Sequence, residues 1–215
     1  MIAVPALAAS RNNETTTSKI NGTIKRVVVT TQNGFVTVRP GAPEVKRIEH
    51  WNHTRPTYSH ELKDGTLTVK AECPTRFLTL PFNDCAVDLA LLVPANAIVK
   101  AATVNGPVTL KDLTGSSIET STANGPVTLA GLRSRSVEAH TSNGDVILTS
   151  LVRAAEIDLS STNGDVAVTT PKGEYDIRTS TTNGDVSVKG LEDDSDSSSH
   201  LEASTTNGDI ALRGN

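Results

Sequence analysis

The chain has 215 residues, a formal net charge of -4 and only 3% aromatic residues. No basic run supplies the electrostatic footprint of a nucleic-acid binder, and no window holds the roughly 20 apolar residues that a membrane helix needs. So few aromatics also argue against a globule cored by Phe, Trp and Tyr, because Val and Thr dominate instead.

The start, MIAVPALAAS, is apolar, lacks a preceding Lys or Arg and is too short to span a bilayer. Ala6-Leu7-Ala8 has the small-x-small pattern of an export cleavage site. Residues 1–24 are therefore expected to be a flexible remnant of an export or anchor region, with membrane anchoring through a missing N-terminal segment. A disordered tail is the alternative, and the polar run 11–18 reads as a spacer in either case.

The first strand-like unit carries Val27, Val29 and Thr31 before Asn33-Gly34, then Val36 and Val38 after it. Residues 40–57 form a polar excursion with His50, Trp51 and His53, followed closely by Tyr58 and His60. Aromatics presented by a loop on a regular scaffold are typical of recognition surfaces, sugar stacking included. His50, Trp51, His53 and Tyr58 are the candidate recognition surface. Three histidines also suit a transition metal, and a plug at the broad end of the fold is the remaining reading. Asp64-Gly65 takes the turn position of a further unit, followed by Leu67 and Val69.

Cys73 and Cys85 flank a short Pro-containing hydrophobic segment. Two cysteines in one neighbourhood suggest a disulfide and an oxidising compartment, with two buried free thiols as the alternative. Two thiols without a CxxC or His partner make half a metal site at best.

From here the sequence repeats. Asn-Gly recurs at Asn105, Asn124, Asn143, Asn163, Asn183 and Asn207, at spacings of 19, 19, 20, 20 and 24 residues. Six residues before each Asn stand Val99, Ile118, Val137, Ile157, Ile177 and Leu201, and two before it Thr103, Thr122, Thr141, Ser161, Thr181 and Thr205. Three after it are Val108, Val127, Val146, Val166, Val186 and Ile210. Period-two alternation within each unit is strand with one buried face, and Asn-Gly supplies the positive φ of a tight turn. Each unit alone resembles a β-hairpin. A meander of hairpins has no reason to keep one residue type in one column, whereas a parallel stack of coils about 4.8 Å apart rewards it. The expected fold is all-β, a single-stranded β-helix or β-solenoid with coils of about 20 residues. Residues 25–215 form the domain, irregular over 25–96 and strictly repeated over 97–215. Residues 192–199 (EDDSDSSS) read as a solvated loop that lengthens the last coil, and the C-terminal coil reads as an open end that frays or meets a partner.

Stacking would bring Asp145, Asp165, Asp185 and Asp209 into one column. Calcium would relieve their repulsion, but Pro107 and Pro126 interrupt the column and the spacing is not that of the nonapeptide calcium repeat. Solvated turn carboxylates are the simpler reading. A glycosidase needs two carboxyls in different environments, and equivalent repeat members do not provide them. No catalytic residue, resident metal or cofactor is expected.

Residues 87–110 (VDLALLVPANAIVKAATVNGPVTL), followed by TSTANGPVTLAGL, TSNGDVILTSL, SSTNGDVAV, TTNGDVSVKGL and TTNGDIALRG, resemble the bacterial adhesin-like family of β-strand-repeat proteins, which has no assigned function. That resemblance implies a right-handed β-helical stack and an extracytoplasmic, surface or membrane-anchored location. It transfers no catalytic motif. The expected function is a non-enzymatic envelope module whose partner is an envelope protein, a polysaccharide or another copy of itself. A ligand- or metal-responsive sensor is the alternative.

Overall fold

Period-two patterning becomes twenty strands in a computed structural model that describes residues 12–74 and 84–215. The chain starts with β1 (Asn12–Lys19), β2 (Arg26–Asn33) and β3 (Val36–Pro40). An excursion follows as β4 (Glu44–Trp51), β5 (Thr57–Lys63), β6 (Thr66–Glu72) and β7 (Cys85–Val93). Four regular pairs come next: β8 (Ile98–Asn105) with β9 (Val108–Lys111), β10 (Ser117–Asn124) with β11 (Val127–Leu132), β12 (Ser136–Asn143) with β13 (Val146–Ser150), and β14 (Glu156–Asn163) with β15 (Val166–Thr170). The chain closes with β16 (Glu174–Asn183), β17 (Val186–Lys189), β18 (Glu192–Asp193), β19 (His200–Asn207) and β20 (Ile210–Gly214).

The strands form two 10-stranded sheets, ordered β1-β4-β7-β3-β9-β11-β13-β15-β20-β17 and β18-β16-β19-β14-β12-β10-β8-β2-β6-β5. Each Asn-Gly turn joins a strand of one sheet to a strand of the other, so the unit is an arch and the hairpin meander is excluded. Neighbouring arches pair in parallel and in register: Val99 faces Ile118, Ile118 faces Val137, and Asn124 faces both Asn105 and Asn143. The inward columns form one continuous core, with Val99, Ile118, Val137, Ile157 and Leu201 at most 1% exposed. Facing sheets pack about 10 Å apart, a gap that Val, Ile and Leu fill and stacked aromatic rings would overfill. This accounts for the aromatic-poor composition.

At both ends the order departs from simple coil-on-coil succession. β19 and β20 insert between β14/β15 and β16/β17, so the last repeat occupies the penultimate level. Residues 192–199 are thus mostly exposed, as expected, but form a crossover between levels rather than an extension of one coil. They carry the chain from the outermost level back inward, and β18 pairs with β16 at Glu174 and Tyr175 on the way. The spacing of 24 is the extra chain this return needs. Tyr175, fully buried under the crossover, donates its phenol hydrogen to the Pro171 carbonyl at 2.8 Å. The C-terminal strand is held on both sides, and the open end expected there belongs to β17.

The other end is built similarly. β2 and β3 sit inside β6 and β7, next to β8 and β9. Asp64-Gly65 is a true hairpin turn between antiparallel β5 and β6, with positive φ at both residues (50° and 76°). Leu67 and Val69 consequently align with Val27 and Val29, ahead of the arch, rather than after it as the spacing suggested. The excursion expected over residues 40–57 contains β4, antiparallel to β7, and the polar run expected as a spacer is β1, antiparallel to β4. Thr-rich alternation gives β1 a strand propensity that its polarity disguises. Cys73 and Cys85 are joined in a disulfide between β6 and β7. Residues 1–11, with the expected cleavage pattern, and the segment between the cysteines at 75–83 lie outside the described residues.

A repeated tight constraint is at the turn glycines. Gly125 has φ of 153°, and a Cβ added there would lie 2.3 Å from the Gly106 carbonyl oxygen of the preceding arch. Backbone cannot yield without separating two coils. Gly125→Ala should lower stability by at least about 2 kcal/mol, measured by urea denaturation. Gly41→Ala, where the nearest atoms to the added Cβ are Leu92 side-chain atoms at 3.2–3.3 Å, should cost less than about 1 kcal/mol.

Candidate functional site

The turns build a polar edge that runs the length of the stack. Each Asn side-chain amide donates to the Asn amide oxygen of the next arch: Asn105 to Asn33 at 2.7 Å, Asn124 to Asn105 at 2.7 Å, Asn143 to Asn124 at 2.8 Å and Asn163 to Asn143 at 3.0 Å. Asn207 continues to Asn163 and Asn183 to Asn207, both at 2.8 Å. All donors point the same way, and the run ends where Asn33 donates to the Cys85 carbonyl at 3.1 Å.

The hydroxyl column bonds to main chain rather than to itself. Thr122, Thr141, Ser161, Thr205 and Thr181 each donate to the glycine carbonyl of the neighbouring turn at 2.9–3.0 Å. The first four residues are buried and Thr181, at the end, is half-buried. Each hydroxyl satisfies a carbonyl that the arch geometry leaves outside the strand ladders.

The Asp column is likewise a main-chain device. Asp145 Oδ1 accepts from the Asp165 N–H at 2.9 Å, Asp165 from the Asp209 N–H at 2.8 Å, and Asp209 from the Asp185 N–H at 2.8 Å. Pro107 and Pro126 have no N–H at this position, so no carboxylate is required of the preceding arch. Among the described residues no group of three or more His, Cys, Asp or Glu is arranged to hold a metal ion.

Strand β7 runs straight past the first turn and imitates it. Asp88 Oδ1 accepts the Phe35 N–H at 3.0 Å, and the Val87 carbonyl receives the Thr31 hydroxyl at 3.3 Å. The spacing of the repeats gives no hint of these stand-ins, because β7 has no Asn-Gly.

The sequence-predicted aromatic patch is divided. His50 and Trp51 lie on strand β4, and Tyr58 lies on β5 in the other sheet. His50 bridges Asn13 Oδ1 at 2.7 Å and Asp88 Oδ2 at 3.2 Å, tying β1 to the imitation turn. Trp51 is half-buried opposite Cys85, with the Arg55 guanidinium 5.2 Å from its ring centroid. His53 is exposed at the bend between β4 and β5. Tyr58 lies under the Arg47 guanidinium at 4.3 Å. Burial pushes its phenol above the ordinary value, with Arg47 opposing. Between them sits Glu49, 2% exposed, held by Arg55 Nε at 2.6 Å and Arg47 Nε at 2.9 Å. Glu49 escapes a reading of the sequence, since one Glu in a polar stretch carries no burial signal.

The family model of Toastrack DUF4097 matches residues 24–214. This chain belongs to that family. Among solved structures it is similar to a candidate cell adhesion protein from Clostridium sporogenes, at 13% identity over 96% of this chain and 100% of that one, with a TM-score of 0.55. Candidate adhesins from Bacteroides fragilis (11% identity, 95% and 98% covered, TM-score 0.38) and Parabacteroides merdae (11%, 94% and 96%, TM-score 0.40) also match. No curated protein matches the chain in sequence.

The Toastrack stack carries one more polar cluster, at the crossover end. Asp176 Oδ2 receives His200 Nδ1 and Arg178 Nη2, each at 3.0 Å. The His200 hydrogen bond, aided by Arg178 and opposed by burial, holds Asp176 below the ordinary carboxylate range. A carboxyl with a depressed folded-state pKa stabilises fully above its unfolded value, near pH 4, and loses that contribution as pH falls through the folded value. His200→Ala should therefore move the Asp176 titration upward, seen by carboxyl NMR, and make acid unfolding begin at higher pH.

The ladder predicts a graded response. Asn143→Ala removes two side-chain ladder bonds and a longer one to the Ala123 carbonyl and should cost about 1–2 kcal/mol, whereas Asn183→Ala removes one at the end and should cost about half as much or less. Paired denaturation curves check the ratio.

Proposed function

We propose that this Toastrack protein is a non-enzymatic, adhesin-like module of a bacterial cell envelope, presenting its turn ladder to a surface partner. The observation that carries the reading is the ladder itself. It is a solvent-facing row of side-chain amides at the strand spacing of about 4.8 Å, fixed by the fold rather than gathered into a pocket. Such a row suits an extended partner with repeating hydroxyl or amide groups, as in an envelope polysaccharide. Its Asn and Asp groups are equivalent along the stack, which suits display and does not suit acid–base chemistry, where two groups need different environments. In this reading residues 25–215 make one right-handed solenoid with coils of about 20 residues, to which β1 adds an antiparallel edge strand.

An extracytoplasmic location is supported by the Cys73–Cys85 disulfide, because such bonds persist in oxidising compartments. The cell adhesion described for the Clostridium sporogenes protein is in keeping with it.

Cosedimentation with purified bacterial cell-wall polysaccharide tests the proposal. The expected result is saturable retention that falls at least fivefold when Asn124 and Asn143 are both replaced by Lys, with the polysaccharide chain length unchanged after incubation. Absence of retention, or retention indifferent to the ladder, overturns ladder display. Shortened polysaccharide overturns the non-enzymatic reading.

A further inference from the structure

The two ends of the stack are unlike. At the β1/β5 end the edge strands are polar and antiparallel to their neighbours. At the other end, among the described residues, β17 pairs only with β20 and leaves its outer edge bare. Val186 and Val188 occupy columns that are fully buried elsewhere, as in Val166 and Ile210, yet they are 44% and 42% exposed. In the other sheet β18 shields the start of β16, and the rest of that edge (177–183) is polar after Ile177, so β17 is the apolar exposed template.

The sequence of this edge states what fits it. Residues 185–189 read Asp-Val-Ser-Val-Lys, which is self-complementary about Ser187. In an antiparallel pair of two such strands, Asp185 stands opposite Lys189, Val186 opposite Val188, and Ser187 opposite itself. Opposed residues share a sheet face, so both acid–base pairs form on the outer face while four valines close over each other on the inner face. At the same two positions β9, β11, β13 and β15 carry no acid–base pair. β20 does, as Asp209 and Arg213, but it is already paired on both sides. The complementary pattern and the bare edge coincide on β17.

We propose that β17 is a homodimerisation edge, pairing antiparallel with β17 of a second copy about a two-fold axis through Ser187. The pairing extends one sheet across both molecules, and the arrangement is isologous, so it closes at two copies. A four-residue edge buries less than the roughly 1,600 Å² of a standard stable interface, so association is weak, with a dissociation constant in the micromolar range or above. This inference stands apart from the ladder partner, since it uses a different surface and a different readout.

Sedimentation equilibrium on the full chain, from about 10 μM to 1 mM, is the test. Wild type is expected to move from monomer to dimer across this range. Asp185→Lys alone and Lys189→Asp alone place like charges opposite each other twice, and each should weaken dimerisation at least tenfold. Mixing the two single variants recreates both acid–base pairs between unlike copies, so heterodimer should reappear. The double variant carrying both changes should recover its own homodimer, which also separates charge repulsion from misfolding. A wild type that stays monomeric, a dimer indifferent to the single variants, or a mixture that fails to recover overturns the proposal.

Discussion

Backbone must lie on backbone at every turn of this stack, and the other regularities answer to that contact. A glycine at positive φ sits directly against a carbonyl of the preceding arch, which would lie 2.3 Å from a Cβ added at Gly125 or Gly144. The contact sets the level spacing, and it exposes a carbonyl that strand pairing cannot reach. The hydroxyl two residues before each Asn supplies the missing donor, and the Asn amide stitches the outer side of the same turn. Because every donor in the Asn row points toward the Cys85 end, the bonds polarise one another in series. Register is therefore overdetermined: a slip of one residue would flip the apolar columns outward and unpair both rows together.

Ends are the difficulty of any such repeat, since each interior level depends on its neighbours for part of its burial. This chain solves it by placing its first and last arches one level in from the ends. β6 and β7 lie outside β2 and β3, and β16 and β17 lie outside β19 and β20. Both frayable strands, β2 near the start and β20 at the close, are paired on two sides. The first end adds antiparallel β1, β4 and β5 and the buried Glu49 between Arg47 and Arg55. Burying the Glu49 carboxylate carries a desolvation cost that the two more exposed guanidiniums must offset. The Glu49 arrangement holds β4 against the bend after it, since Arg55 also reaches Glu14 on β1 at 2.7 Å.

The interior was legible in the sequence because every level repeats the same physical problem. Identical columns at Val99, Thr103, Asn105 and Val108 are enough to specify parallel register, buried face and turn. The ends were not legible, because their solutions are singular. Asp88 replaces a turn aspartate without an Asn-Gly beside it. Asp64-Gly65 carries the same turn chemistry as an arch and yet closes a hairpin, since a local signal cannot say which sheet the next strand will join. The crossover at 192–199 appeared only as an altered spacing, and spacing does not encode the direction in which the chain returns. Likewise the aromatic patch was identified by composition, whereas its residues divide between two sheets because β4 and β5 leave the bend in different sheets.

Asymmetry between the ends also limits what the stack can become. If both edges were bare and parallel, copies could add head to tail and grow into a fibre, the usual hazard of an open repeat. Here the β1 and β5 edges are antiparallel to the levels beneath them and carry Glu14, Lys19, Glu61 and Lys63. The apolar, palindromic β17 edge therefore has no complementary partner at the opposite end. Its best complement is itself, and antiparallel self-pairing leaves no further bare edge of that kind. The same repeat physics that builds the stack also leaves one level unfinished, and in the pairing proposed above the charge pattern on that level is what would stop completion at two.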